Sequence, residues 1–116
     1  MLTTIIEGLA EAFALTRKSN LDPNVLLDVL TGSLFPIPVY KNYGNMIAAD
    51  QFEPAGFKLP LGLKDNRLVL QAAEQLSVPM PMASLIRDRF LAALSMGLSE
   101  SDWAAIARVS FKEAGL

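Results

Sequence analysis

Apolar residues recur at helical spacing along nearly the whole chain. Leu2, Ile5, Ile6, Leu9 and Phe13 fall three or four apart, which places them on one helix face. Ala10, Ala12 and Ala14 add intrinsic helix preference. Arg17 and Lys18 complement the negative end of that helix's dipole, and Asn20 can take the left-handed closing conformation. Asp22 then caps a second helix, with Pro23 at its first position, Leu26, Leu27, Val29 and Leu30 on its apolar side, and Gly32 stopping it.

The middle is less regular. Phe35-Pro36-Ile37-Pro38 is expected to be extended, because a residue before proline is pushed out of the helical region. A short helix carrying Val39, Tyr40, Tyr43, Met46 and Ile47 follows, then a turn from Phe52 to Gly56 around Pro54. Phe57, Leu59, Leu61 and Leu63 alternate with Lys58, Pro60 and Gly62, which alone reads as a strand. Pro60 opposes a central strand and suits a helix start, so the pattern favours an extended Phe57–Leu59 running into a helix over about Pro60 to Ser77. A further helix spans about Met82 to Met96, with Leu85, Ile86, Phe90, Ala93 and Leu94 inward and Gly97 closing it. The last begins near Ser99 or Ser101, where Ser99-Glu100-Ser101-Asp102 resembles a capping box, and turns Trp103, Ile106 and Ala107 inward. Six or so helices, short loops and no repeat predict an all-α domain.

Length and charge narrow the function classes. A chain of 116 residues makes one domain, and 52% hydrophobic against 19% charged residues leaves it apolar-rich. The apolar excess implies that part of the surface lies against something else. Ten Lys/Arg against twelve Asp/Glu, with no basic run, gives no reason to expect nucleic acid. Without Cys or His, the chain lacks the usual zinc, thiolate, disulfide and imidazole chemistry, and no metal site is expected. No apolar run is long and unbroken enough for a membrane span, so the expected setting is cytoplasmic.

Chemistry concentrates on the fourth helix. With about 100° per residue and Leu61 at zero, Leu68, Val69, Ala72 and Leu76 cluster in one stripe. Asp65 falls inside that stripe and Lys64 on its edge, two opposite charges on a face expected to turn toward protein. One reading is a first turn protruding past the core, with Asp65 favoured near a helix N-terminus; the other is a cleft whose second wall lies outside this chain. Glu7 and Glu11, one turn apart, read as a solvated face, and Arg87, Asp88 and Arg89 as an exposed helix side. Tyr40, Tyr43 and the five Met read as packing residues, and Gly32-Ser33 as a helix stop rather than a phosphate loop. None of these makes a self-sufficient active site.

Three stretches in order resemble the C-terminal domain of the β-hydroxyacid dehydrogenases, the 3-hydroxyisobutyrate dehydrogenase and 6-phosphogluconate dehydrogenase relatives. Leu9-Ala10-Glu11-Ala12-Phe13-Ala14-Leu15 leading into Asn20-Leu21-Asp22-Pro23 is similar to the family's interdomain helix and its "GLDP"-like turn. Phe57-Lys58-Leu59-Pro60-Leu61-Gly62-Leu63-Lys64-Asp65 resembles the "F-x-L-x-L-x-x-K-D" segment, the most specific of the three. Met96-Gly97-Leu98-Ser99-Glu100-Ser101-Asp102-Trp103 is similar, more loosely, to the closing "G-x-G-x-x-D" stretch.

The resemblance implies an enzyme in two parts. An N-terminal Rossmann domain holds NAD or NADP, and an all-α C-terminal domain closes over the nicotinamide, helps form the substrate site and makes a homodimer. By that likeness Lys64 contacts the cofactor, Phe57 is the aromatic beside nicotinamide and substrate, and Asp65 lies in the substrate cleft. The family's catalytic lysine, in a "K-x-x-x-N" pattern just before the "AE" stretch, falls before Met1. Residues 1–116 therefore resemble a C-terminal substrate and dimerisation domain without its Rossmann partner, a fragment expected to bind no cofactor and turn over nothing by itself. The implied parent oxidises a small β-hydroxyacid or reduces a semialdehyde acid with NAD(P). The alternatives are a non-catalytic helical interaction module, or the domain of a glyoxylate- or imine-reducing relative. For dimerisation, the apolar face of the first helix is the expected contact.

Overall fold

Proline sets the start of four of the six helices. The computed structural model, which describes residues 1–116, forms α1 (Leu2–Lys18), α2 (Pro23–Gly32), α3 (Pro38–Ala49), α4 (Leu59–Gln75), α5 (Pro81–Ser95) and α6 (Ala107–Glu113), with a short 3-10 turn over Trp103–Ile106. Pro23, Pro38, Pro60 and Pro81 each occupy a first-turn position, where the missing N–H costs no hydrogen bond. Asp22 caps α2 by accepting from the Asn24 backbone N–H at 2.9 Å. Asn20, Asp50, Ser77 and Gly97, just past the ends of α1, α3, α4 and α5, take the left-handed conformation that stops a helix. No strand forms; Lys58 and Asp102 make one isolated antiparallel bridge. The all-α expectation holds.

The core is built around α1, which packs against α2, α3, α5, α6 and the 3-10 turn. Ile6, Ala10 and Phe13 are completely buried, among Ile47 of α3, Ile86 and Phe90 of α5 and Ile106 of the 3-10 turn. This corrects one expectation. The apolar face of α1 offered for dimerisation is covered by the chain's own helices, and Leu2 alone of its five residues is exposed.

α4 and α5 lie side by side, and Gly62 permits their close approach. A Cβ there would stand 2.8 Å from Phe90 Cζ and 3.0 Å from Trp103 Cε3. Leu59, Gly62, Leu63 and Ala73 form the buried face of α4. The stripe of Leu61, Leu68, Val69, Ala72 and Leu76 faces outward instead, with Leu76 at 75% exposure. On α5, Ile86, Phe90 and Ala93 turn inward as expected, but Leu85 does not. The four-residue capping box before the last helix is also replaced. Asp102 caps the 3-10 turn through the Ala104 N–H at 2.9 Å, and Ser101 Oγ donates to Glu53.

Glu7 is buried rather than solvated. One of its oxygens lies 2.7 Å from Arg89 Nε, too far off axis to make a formed hydrogen bond, while Arg89 Nη1 donates to Glu113 at 2.6 Å. Burial raises the Glu7 pKa above its ordinary value, more than the Arg89 charge lowers it, and Glu11 one turn on raises it further. Burial opposes the charge on Arg89, but its hydrogen bond to Glu113 and the Glu7 charge outweigh this and raise its pKa. Arg89 thus links buried Glu7 of α1 to exposed Glu113 of α6, although local spacing alone assigns Glu7 and Arg89 to solvent.

Candidate functional site

Phe57 is held by its backbone from both sides. The extended residues before α4 run antiparallel to the segment before the 3-10 turn. Trp103 N–H donates to the Phe57 carbonyl at 2.8 Å, and Leu59 N–H to the Ser101 carbonyl at 3.0 Å. Asp102, 3% exposed, accepts through Oδ2 from the N–H groups of Gly56 and Phe57 at 3.1 and 3.0 Å, while Oδ1 takes the Ala104 cap. Its own N–H donates to the Phe52 carbonyl at 2.9 Å. One buried carboxylate therefore serves three backbone donors from two segments more than forty residues apart. The half-buried Phe57 ring meets the Trp103 indole edge-on, centroids 4.7 Å apart, and the indole N–H donates to Tyr43 Oη at 2.8 Å.

Two cavities open on this aromatic group, and Leu2 at the start of α1 borders both. The larger, 980 Å³, runs along α3 and is lined by Tyr43, Asn42, Asn45, Glu53, Phe57 and Asp102 among others. The smaller, 540 Å³, lies between α4 and α5 and is lined by Asp65, Asn66, Val69, Met80, Met82 and Trp103 among others. Phe57 and Asp65 thus border neighbouring cavities, with Trp103 packed against Phe57 of the first and lining the second.

Lys64 lines neither cavity. It is exposed on the first turns of α4, beside exposed Asp65, and neither has an ion-pair partner within 4.0 Å. Elsewhere Lys58 pairs with Glu100 at 2.5 Å and Arg108 with Asp50 at 2.9 Å. Asp65 sits where the wheel puts it, on the Leu61 stripe, but that stripe is surface rather than core. No cluster of three or more His, Cys, Asp or Glu could hold a metal ion, and no helix is long and apolar enough to cross a membrane.

Sequence reasoning missed Asp102 and Trp103 as parts of this site. Asp102 carries a local signal only for its cap, and its bonds to Gly56 and Phe57 are long-range. Tyr43 carries no local signal that separates it from a packing residue.

Comparison with known proteins gives the fold a context. The model of a family described as the NAD-binding of NADP-dependent 3-hydroxyisobutyrate dehydrogenase matches residues 1–110. An uncharacterized oxidoreductase of Bacillus subtilis, YfjR, is 41% identical over 106 residues, 91% of this chain and 37% of that protein. Glyoxylate/succinic semialdehyde reductase 2 of Arabidopsis thaliana, chloroplastic, is 32% identical over 106 residues, again 91% of this chain and 29% of that one. The chain spans about a third of the length of these relatives. The crystal structure of a 3-hydroxyisobutyrate dehydrogenase from Salmonella typhimurium shares the fold, with a TM-score of 0.83 at 24% identity, covering 93% of this chain and 38% of that one. With the family model matching nearly all of its length, the chain belongs to the 3-hydroxyisobutyrate dehydrogenase NAD-binding family.

Proposed function

We propose that residues 1–116 act as the C-terminal substrate and dimerisation domain of an NAD(P)-dependent oxidoreductase whose substrate is a small β-hydroxyacid or semialdehyde acid. The observation that carries this reading is the unpaired Lys64–Asp65 dipeptide on the outer face of α4, next to the cavity that Asp65 lines. No carboxylate lies within 4.0 Å of the Lys64 ammonium, so it is available to a ligand or a second domain. Phe57 and the Trp103 indole behind it supply a rigid apolar wall, suited to excluding water from a flat ring.

The residues present fit a dinucleotide contact in kind. Lys64 would hold the polar part of the cofactor and Phe57 would border its nicotinamide. When bound, the cofactor supplies hydride transfer. This chain's part is binding, orientation and water exclusion, while the N-terminal Rossmann domain and the family's catalytic lysine are proposed to belong to the rest of the parent. Asp65 faces the substrate cleft, and the outward apolar stripe behind it is the proposed homodimer contact in place of the covered face of α1.

Lys64→Ala in the full-length parent tests the reading. It is expected to raise the cofactor KM or lower kcat about tenfold, equivalent to about 1.4 kcal/mol of transition-state stabilisation. Unchanged kinetics would return Lys64 to the status of a solvated surface residue and remove the main support for the proposal.

A further inference from the structure

Tyr43 stands apart from the Lys64–Asp65–Phe57 set, yet its phenol is held by the Trp103 indole at the aromatic end of the larger cavity. An indole N–H can only donate. At 2.8 Å from Trp103 Nε1, the Tyr43 oxygen is therefore the acceptor, and its own hydrogen must point elsewhere. No acceptor on this chain takes it.

The acidic groups of the same cavity are already engaged. Asp102 receives three backbone N–H groups, while Glu53 accepts from Ser101 and lies 4.0 Å from Arg108. The indole that fixes the phenol is itself held by its backbone bond to Phe57, by edge contact with the Phe57 ring and by packing over Gly62. Tyr43 is thus a pre-oriented hydrogen-bond donor beside an apolar ring, and such a donor loses little conformational freedom when it meets a ligand oxygen.

We propose that Tyr43 is a specificity-determining residue that donates its phenolic hydrogen to an oxygen of a small oxyacid held against Phe57, with Trp103 acting as the positioning residue that aims it. Carboxylate, carbonyl and hydroxyl oxygens all accept such a bond, and Asn42 and Asn45 on the same wall add further donors. An apolar isostere of the ligand would leave the phenol unpaired and be discriminated against. The identity of the ligand class rests on the oxidoreductase reading, whereas the orientation of the phenol does not.

Two measurements test this, with 3-hydroxypropanoate as the probe. In the full-length parent, Tyr43→Phe is expected to raise KM for the probe about tenfold, with kcat and cofactor affinity within about twofold, a split that a general packing defect would not produce. An unchanged KM overturns the assignment. If the parent turns over no hydroxyacid, the oxidoreductase reading fails, and the assignment is decided by binding instead. Trp103 is the only tryptophan, so its 15N-labelled indole gives one N–H resonance, seated on the Tyr43 oxygen. Titration of the 116-residue chain is expected to shift that resonance saturably. No shift in the wild type overturns the assignment. So does an equal probe affinity in Tyr43→Phe, followed there by the Phe57 amide resonance.

Discussion

Removing the Asp102 carboxylate should cost this domain a large share of its stability and release Phe57. Asp102→Ala deletes three hydrogen bonds at once. The Ala104 cap is lost, worth about 1 kcal/mol at a helix start. The N–H groups of Gly56 and Phe57 lose an ionised acceptor, about 1.5 kcal/mol each at the lower end for charge-assisted bonds; since Gly56 is exposed, water recovers part of that. The sum is about 3–4 kcal/mol, against a total of about 5–15 kcal/mol for a domain. Urea unfolding followed by Trp103 emission reads the loss next to the perturbation, and the midpoint should fall while the slope stays constant. Asp102→Asn keeps an acceptor for Ala104 but turns an amide toward the two remaining donors, so it should fall between wild type and Asp102→Ala. A loss below about 1 kcal/mol in Asp102→Ala, or wild-type stability in Asp102→Asn, would refute the idea that this carboxylate organises the Phe57 segment.

Glu7 should give an unusual pH dependence. Its folded pKa is raised above the ordinary 4.5, so its contribution is fully present below that pH and is lost as pH rises through the folded value. The stability difference between wild type and Glu7→Gln is therefore expected to fall from pH 4.5 toward neutrality, and a difference that rises over that window would contradict the burial argument. Dimerisation through the outer face of α4 predicts that Leu68→Glu converts the chain to a single monomeric species in sedimentation at micromolar concentration. A wild-type chain already monomeric there would remove the interface.

The helix starts were legible because their causes are local. Pro23 and Pro60 in a first turn and Asp22 two residues before the N–H that donates to it act within one turn, and each marks a boundary that the structure keeps. What failed was the orientation of α4. Periodicity finds the more apolar face, Leu61 to Leu76, and orientation is then assigned by assuming that this face meets the chain's own core. In the structure the core side is chosen by fit: Gly62 lets the helix approach Phe90 and Trp103, and Leu59 and Leu63 flank it, which leaves the larger stripe outside. Glu7 failed for a related reason. Two carboxylates one turn apart look solvated until Arg89, eighty-two positions away, is brought against one of them.

The same contrast bears on what α4 is for. The same chain closes Asp102 on three N–H groups and sets Arg89 between Glu7 and Glu113, yet leaves Lys64 and Asp65 unpaired toward one end of α4 and Leu68, Val69 and Leu76 uncovered toward the other. A surface evolved only for solvent has no need to put both on one helix. On the proposed reading the two ends divide the work: apolar area toward the C-terminal end supplies non-directional association, and the free charges at the N-terminal end meet the ligand, where direction and sign matter. Leu68→Glu and Lys64→Ala then separate experimentally. The first should change assembly and leave the isolated fold intact, and the second should change kinetics and leave assembly intact. If both variants altered assembly alone, α4 would be an interface throughout, and the cofactor role of Lys64 would fall.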